Sequence, residues 1–374
     1  MIVRSWGCPR AGEAMRAVVT RPTVVSVRNR CHVSDHTQQA REVGPAGTPR
    51  ALRARQHPQH VHGPDVAGGG YGRQVRTFTT PLPVDLLRSL RPLVAASNDP
   101  TIRLRRDRLL RASATPQGPG TLDLQRLEPD RFQARAYGPG RDWLLEQAPA
   151  LIGANDDLTG FVATSHPAVR RAAHHRPDLR LIRSGCLDDV LVATILAQRV
   201  TSREAARSWT RMVRAWGRPA PGPHPLRLSP SAADLATRRY WEFHHLGVER
   251  ARAERIITVA RHLARRAADG HGTPAGPSTL DALRRVPGVG VWTLALVART
   301  TSGDADAVEV GDFHVKHHVS FALAGEPRGT DERMLALLAP FAPHRGRVVR
   351  LLLSATPRPP TFGARQRVIP VESL

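Results

Sequence analysis

The sequence predicts an α+β fold that is mostly α, in which a small antiparallel sheet domain is followed by an all-helical domain. Segments that alternate apolar and polar residues, separated by turn residues, lie between residues 75 and 137. From Arg141 onward, apolar residues instead recur about every 3.6 positions, as they do on one face of a helix. The chain has 374 residues and an apolar fraction of 41%, which is enough for two domains.

The first part of the chain, residues 1–72, shows no sustained period and carries histidine-rich and glycine-rich patches. A segment of this composition buries too little apolar surface to offset the entropy that it loses on ordering. We therefore predict a disordered basic extension over residues 1–72.

A small α+β sheet domain is predicted over residues 73–142. Strand-like patterns cover residues 75–80, 101–105, 121–124 and 132–137, and residues 83–90 have the apolar spacing of a short helix. Residues 115–120 and 138–140 contain the proline and glycine residues that are typical of turns. Nothing in this domain by itself indicates a chemistry.

A helical domain is predicted over residues 143–355. Its strongest helix covers residues 187–198, where apolar side chains share one side and Asp188 and Asp189 favour the positive helix start. A proline-rich connection covers residues 217–230. The proline- and arginine-rich residues 356–374 are predicted to form a loose tail.

Two of these helices are separated by a short break at Val286, Pro287, Gly288, Val289 and Gly290. Proline presets φ, and the two glycines permit φ > 0 and leave the backbone bare. A bare backbone before a helix exposes N–H groups at the positive end of the helix dipole, which favours a phosphate. The carboxylate of Asp312 follows 22 residues after Gly290 and is expected close to the bound phosphate chain.

The charge of the chain indicates a polyanionic partner. The formal net charge is +23 and the isoelectric point is about 11.6. Of the 55 basic residues only Lys316 is a lysine, which indicates a compositional bias. That bias explains why arginine is used in place of lysine. It does not explain why the chain has 55 basic residues and only 32 acidic residues. The alternative for residues 1–72 is a basic arm that contacts this polyanion.

The three cysteines, Cys8, Cys31 and Cys186, have the spacing of neither a zinc site nor an iron–sulfur cluster, so no metal site is predicted. They form no readable disulfide framework, which fits a reducing compartment. No apolar run is long enough to span a membrane, and the start of the sequence lacks the apolar region of a signal peptide. We therefore expect a cytoplasmic protein without membrane association.

Residues 187–209, 246–261 and 279–353 resemble the helix-hairpin-helix–GPD superfamily of DNA glycosylases, and most closely its bacterial 3-methyladenine DNA glycosylase II branch. The hairpin at 286–290 together with the later Gly311-Asp312 carries this resemblance. Such a hairpin alone also occurs in proteins that only clamp DNA, so it is the aspartate that implies an enzyme.

The resemblance implies a monomeric, nucleoid-associated, monofunctional DNA glycosylase of base excision repair. It would hydrolyse the N-glycosidic bond of damaged, alkylated purines in duplex DNA. Two alternatives stay open: a non-catalytic helix-hairpin-helix DNA-binding protein, and a glycosylase for deaminated or oxidised bases. The family also implies a monovalent cation at the hairpin carbonyls, and no other cofactor.

The resemblance makes Asp312 the catalytic residue, because an ionised carboxylate stabilises the oxocarbenium character of the sugar and orients or deprotonates water. A helix-capping role for this aspartate is compatible with that chemistry. Trp292 stands where lyase-type relatives carry a Schiff-base lysine, and an indole forms no imine. Lys316 does not match that position, so water-driven base release is expected.

The remaining site residues are also implied by the resemblance. Gln198 and Arg199 are candidates for the wedge that fills the gap left by a flipped base, or for a plain DNA contact. Trp292 and Phe313 are candidates for the base pocket, while Leu353 replaces an aromatic that relatives carry in the last helix. Two helical series are expected to face phosphate or solvent, namely His314, His317 and His318, and Arg345, Arg347 and Arg350.

Overall fold

The computed structural model describes residues 74–267 and 272–360. The predicted extension over residues 1–72, and residues 361–374 of the predicted tail, lie outside this described part. Within it no helix is long and apolar enough to cross a membrane.

The α+β fold class is confirmed, and its sheet has five antiparallel strands. In chain order these are β1 (Gln74–Thr79), β2 (Ile102–Leu104), β3 (Arg108–Thr115), β4 (Gly118–Arg126) and β5 (Arg131–Tyr137). Their order across the sheet is β1-β5-β4-β3-β2. Strand β3 has no counterpart among the predicted strands, because its apolar residues are interrupted by Arg108 and Arg111.

The hairpin between β3 and β4 is tighter than the predicted turn over residues 115–120. Thr115 pairs with Gly118, so only Pro116 and Gln117 form the turn. The hydroxyl of Thr115 donates to Gly118 O at 2.7 Å and accepts from Gln117 N at 3.2 Å. These side-chain hydrogen bonds shorten the turn. Strand β4 therefore begins at Gly118, within a segment whose proline and glycine residues are typical of turns.

Two helices complete the sheet core, α1 (Leu86–Ser89) and α2 (Arg141–Leu151). The inward side chains of α2 are buried with those of the strands, among them Leu144, Ala148 and Leu151. A Cβ on Gly120 would lie 2.6 Å from Leu144 Cδ1, so β4 and α2 approach closely. The predicted boundary at residue 142 therefore falls inside a helix that packs on the sheet.

The rest of the described chain is helical. The α-helices are α3 (Pro167–His175), α4 (Asp188–Leu196), α5 (Ser202–Trp216), α6 (Ala232–Thr237), α7 (Arg250–Ala264), α8 (Pro277–Leu283), α9 (Val291–Ser302), α10 (Val315–Ala324), α11 (Asp331–Leu338) and α12 (Arg345–Ala355). A 3₁₀ segment covers Tyr240–Leu246. One helical core contains residues of α4, α5, α7 and α9, and a second contains residues of α3, α10, α11 and α12.

Helix α4 lies at the centre of the first helical core. Leu187, Leu191 and Ile195 are fully buried, and each such side chain contributes about 1.5–3 kcal/mol by its burial. Their spacing of four residues gives the apolar face that the sequence predicts. The C-terminal carbonyl of Leu196 accepts a 2.7 Å hydrogen bond from the buried guanidinium of Arg252 on α7. This bond fixes the end of α4 and hence the direction of the following turn.

The first residue of α4 makes stability depend on pH. Asp188 is buried and accepts a 2.6 Å bond from Thr273 N. Burial raises the pKa of its carboxyl to about 6, from 3.8 when unfolded. Because the folded state binds this proton more tightly, stability is lost as the pH rises from about 4 through 6, by up to about 3 kcal/mol.

We predict that Asp188→Asn, which keeps the acceptor for Thr273, is more stable than the parent chain above pH 6. Its advantage should shrink as the pH falls towards 4, because the parent carboxyl then becomes neutral as well. Urea unfolding of both chains between pH 4 and 8 measures this difference. A stability difference that does not vary with pH would contradict the assigned pKa shift.

Candidate active site

The predicted hairpin joins α8 to α9 and presents its backbone to solvent. Val286 and Val289 are buried in the first helical core, whereas Pro287, Gly288 and Gly290 are exposed. No side chain caps the start of α9, where Gly290 is the N-cap residue. The first N–H groups of a helix have no intrahelical acceptor and lie at the positive end of its dipole. This exposed helix start is therefore suited to bind a phosphate.

The two glycines of the hairpin have different roles. Gly288 has φ of +89°, and a Cβ there would lie 2.6 Å from Arg255 Cγ. Gly290 has φ of −89°, and a Cβ there would meet nothing within 4 Å. Of the two glycines, only Gly288 adopts the positive φ that glycine permits. Because Gly290 has no side chain, its backbone leaves room for a ligand at the start of α9.

The side chain of Gln198, which follows α4, forms hydrogen bonds with this hairpin and with the start of α9. Its side-chain amide donates to Gly288 O and to Thr293 Oγ1, both at 2.9 Å. Its amide oxygen accepts a 3.3 Å bond from Arg255 Nη1. An amide NH₂ has two N–H donors, so both are used within the protein. Gln198 therefore holds the α4–α5 turn against the hairpin and is not extended towards solvent.

Arg199 lies at the tip of the same turn. Its side chain is exposed and its φ is +56°, the only positive φ of a non-glycine residue in the described part of the chain. This left-handed conformation costs an arginine about 1–2 kcal/mol. Strained residues of this kind cluster at functional sites. Of the two candidate wedge residues, Gln198 and Arg199, only Arg199 has an exposed side chain.

The carboxylate of Asp312 is held by three N–H donors. Trp292 Nε1 donates to Oδ2 at 2.9 Å. The amides of His314 and Val315 donate to Oδ1 at 2.8 and 3.0 Å. One oxygen thus caps the start of α10 and the other accepts the indole, so capping is compatible with exposure to a substrate. Charged hydrogen bonds of this kind fix the orientation of a carboxylate.

The loop that carries Asp312 is anchored along its length. Arg345 binds Asp306 through two of its guanidinium nitrogens, and the buried Arg299 is paired with the buried Glu309. Asp331 Oδ1 accepts a 2.9 Å bond from Gly311 N. These contacts limit the movement of Asp312 relative to α9.

A cavity of about 370 Å³, within the size range of small-ligand sites, is reached from this carboxylate through Trp292. Trp292 lines it and also binds Asp312, so the indole connects the two. Leu296 and Arg299 of α9 line it as well. Residues 292, 296 and 299 have helical spacing on one face, so this wall was recognisable in the sequence but was not predicted. The walls from outside α9 had no such sequence signal: Arg91, Leu93, Val94, Arg111, Asp189 and Arg350.

The second predicted pocket residue lies elsewhere. Phe313 is 73% exposed and its ring contacts those of His314 and His317. It is not among the residues that line the cavity. Leu353, at the position of the expected aromatic, is also partly exposed and does not line the cavity, whereas Arg350 on the same helix does.

The expectation that both helical series face phosphate or solvent is wrong for two of their six residues, His318 and Arg347, which are buried. His318 is buried and its Nε2 contacts Leu352 O and Thr356 Oγ1, and burial lowers its pKa. His317 accepts from Gly329 N at 3.1 Å. In the described residues no group of three or more His, Cys, Asp or Glu side chains is placed to hold a metal.

Comparison with known proteins identifies this architecture. Residues 192–343 match the family described as "HhH-GPD superfamily base excision DNA repair protein". A curated relative, the "Probable bifunctional transcriptional activator/DNA repair enzyme AlkA" of Mycobacterium tuberculosis, is 28% identical over 152 residues. This match spans 40% of the chain and 30% of the relative's length.

The segment that matches the HhH-GPD superfamily lies within the helical part of the chain, from α4 to the residues before α12. Solved structures show the same fold beyond the matched segment. A 3-methyladenine DNA glycosylase from Archaeoglobus fulgidus superposes with a TM-score of 0.61 at 14% identity, covering 75% of this chain and 98% of its own. An 8-oxoguanine glycosylase/lyase from Clostridium acetobutylicum gives 0.56 at 10% identity, covering 76% and 98%.

The two glycines allow a matched test of the hairpin. We predict that Gly288→Ala lowers stability by about 1–2 kcal/mol, because its positive φ and its contact with Arg255 are both unfavourable to a Cβ. Gly290→Ala should leave stability nearly unchanged but weaken binding to duplex DNA about tenfold, by obstructing the helix start. Thermal unfolding and fluorescence anisotropy with labelled duplex DNA measure the two effects. Equal losses of affinity and stability in both variants would contradict this division.

Proposed function

We propose that this chain is a monofunctional DNA glycosylase that removes a damaged base from duplex DNA by hydrolysis. The observation that carries the proposal is the Asp312 carboxylate, which is held by three N–H donors. One of these donors, Trp292, lines the cavity and lies in the first turn of α9, directly after the hairpin. The match of residues 192–343 to the HhH-GPD superfamily supports the same activity. The net charge of +23 suits a DNA partner.

In this proposal the helix start at Gly290 holds one backbone phosphate near the lesion and sets the register without reading sequence. Arg199 enters the stack or contacts the backbone where the damaged nucleotide leaves it. The flipped base then occupies the cavity beside Trp292, and its sugar lies against Asp312. Flipping costs a few kcal/mol, least for a base whose pairing is already damaged.

The chemistry follows from the charge of Asp312. As the bond between C1′ and the base nitrogen breaks, the base leaves with the bonding electron pair and the sugar gains oxocarbenium character. The carboxylate stabilises this positive charge and accepts a proton from the water that attacks C1′. A base that leaves as an anion takes up a proton from solvent, and Asp312 returns its proton to solvent. The products are the free base and an abasic site with both strands intact.

Absence of a lyase step is proposed from the residues at the lysine position. An imine with C1′ requires an amine, and the residue there is Trp292. Lys316, the only lysine of the sequence, forms an ion pair with Asp331 at 3.0 Å. Both observations favour water as the nucleophile.

A borohydride trapping experiment tests this function. Duplexes that each carry one lesion are incubated with the protein, and abasic sites are revealed by alkali. We expect alkali-dependent cleavage and no covalent adduct with borohydride. A trapped adduct would instead indicate a lyase. Duplex binding without release of any lesion would leave a non-catalytic DNA-binding protein.

A further inference from the structure

The charged lining of the cavity bears on which base the proposed glycosylase accepts. Four arginines and one aspartate are the charged residues that line it: Arg91, Arg111, Arg299, Arg350 and Asp189. The remaining walls are mostly apolar, including Val94, Leu296 and the indole of Trp292. An apolar slot with a few placed polar groups is typical of a site that selects a ligand by its polar edge.

Two of these arginines are matched by carboxylates. Arg299 is paired with Glu309, and both side chains are buried. Arg111 lies 3.9 Å from Asp189, whose Oδ1 also accepts from Ser229. Each pair is close to neutral, so neither adds much net charge to the cavity. The buried Arg299 Nη1 and Glu309 Oε2 have no hydrogen-bond partner in the described chain.

Arg350 is different because no carboxylate within the described residues forms an ion pair with it. This half-buried side chain on α12 donates from Nη2 to Arg88 O at 3.0 Å. Burial, together with the positive charges of Arg299 and Arg91, lowers its pKa to about 10. The side chain is therefore a cation at neutral pH with unused N–H donors. Arg91, which is exposed, likewise has only a backbone acceptor, Val94 O.

A cavity with a net positive charge is expected to bind two chemical classes of damaged base with different affinities. Purines alkylated at N3 or N7 carry a positive charge, which an unpaired guanidinium repels. Deaminated and oxidised bases are neutral and present carbonyl oxygens, which accept hydrogen bonds from arginine. Hypoxanthine keeps the adjacent O6 and N7 acceptors of a purine edge, which arginine binds in a bidentate manner with discrimination of about ten- to a hundredfold. Uracil has no N7, and N7 of 8-oxoguanine carries a proton, so these two bases offer arginine their carbonyl oxygens instead.

We propose that this cavity selects a neutral base with carbonyl oxygens on its edge over a cationic alkylated base, with Arg350 as the residue that determines this preference. The proposal rests on the glycosylase function proposed above, since only a flipped base reaches the cavity. It replaces alkylated purines, expected from the resemblance, by deaminated or oxidised bases as the preferred lesions.

A comparison of lesions tests the proposal with the full-length chain. Single-turnover release is measured from duplexes that contain hypoxanthine, uracil or 8-oxoguanine, and from duplex DNA methylated with dimethyl sulfate. We expect at least one of these three neutral, carbonyl-bearing bases to be released about ten times faster than the cationic 7-methylguanine or 3-methyladenine. The three separate duplexes distinguish deamination from oxidation. Equal or faster release of the methylated purines would overturn the proposal but leave the glycosylase function intact. Release of no base at all would overturn both.

Arg350 variants test the assigned residue. Arg350→Met should slow release of the carbonyl-bearing base about ten- to a hundredfold and should not slow release of the methylated purines. Arg350→Lys keeps the charge but not the planar fork, so it should slow the carbonyl-bearing base and still disfavour the methylated purines. Arg131→Met removes the same charge from an exposed position on β5 and should change neither rate. Equal slowing of both lesion classes by Arg350→Met would show a structural role and overturn the assignment.

Discussion

We expect Asp312→Asn to lower the single-turnover rate of base release by about a thousandfold or more, on the lesion that the parent chain releases fastest. The variant removes the negative charge that stabilises the oxocarbenium character of the sugar and accepts the proton of water. Binding to a duplex with an abasic-site analogue should be retained or slightly tighter, because a negative charge near the DNA backbone is removed.

The hydrogen bonds of Asp312 add a specific expectation for this variant. Asparagine supplies one oxygen and one NH₂, but three N–H donors converge on the carboxylate from Trp292, His314 and Val315. One donor must therefore face another donor, at a cost of about 1–3 kcal/mol. Because the two backbone amides hold Oδ1, we expect the amide nitrogen to face Trp292 Nε1. Trp292→Phe in the Asp312→Asn chain should recover part of this stability but none of the activity.

Asp281→Asn is the matched control. This carboxylate on α8, the helix before the hairpin, is 70% exposed and pairs with Arg284. The same change of charge there should leave the rate of base release within about twofold, since exposed ion pairs contribute little. If Asp312→Asn releases the base at a rate near that of Asp281→Asn, Asp312 is not the catalytic carboxylate.

Much of the fold could be predicted because it depends on local patterns. The apolar period of α4 and the alternation in β5 follow from which face of each element is buried. Strand β3 could not be predicted in this way, because Arg111 points into the protein to pair with Asp189. A charged residue at an inward position hides the alternation, and only the partner on α4 makes that position acceptable.

The candidate site also contains some residues whose role could be predicted from the sequence and others whose role could not. The hairpin and Asp312 could be identified because their residue types are unusual at those positions. The function of Gln198 could not, since its partner Gly288 lies 90 residues away and only the packing of α4 on α9 joins them. Arg345, Arg347 and Arg350 look alike in the sequence, yet they bind Asp306, bind Asp156 and line the cavity, respectively. Helical spacing fixes the direction of a side chain but not what packs there.

We expect Arg347→Met to destabilise the protein by about 3–5 kcal/mol, the largest loss of stability that we predict for a single substitution outside the apolar core. Arg347 binds both oxygens of Asp156, at 2.7 and 2.6 Å, and its Nη2 also donates to Asp157 O at 2.8 Å. Both charged side chains are at most 5% exposed. Methionine fills similar space but leaves the Asp156 carboxylate buried without its countercharge. Urea unfolding at pH 7 measures the loss.

Arg345→Met on the same helix separates this effect from any general cost of removing a charge. Arg345 binds Asp306 with the same bidentate geometry, but its side chain is 35% exposed and that of Asp306 is 29% exposed. Water can solvate Asp306 when its partner is lost, so we expect a cost of at most about 1 kcal/mol. Asp156→Asn in the Arg347→Met chain should recover part of the larger loss, because it removes the unpaired charge and keeps an acceptor for Leu181 N. Equal costs for Arg345→Met and Arg347→Met would mean that burial does not determine the strength of these two ion pairs.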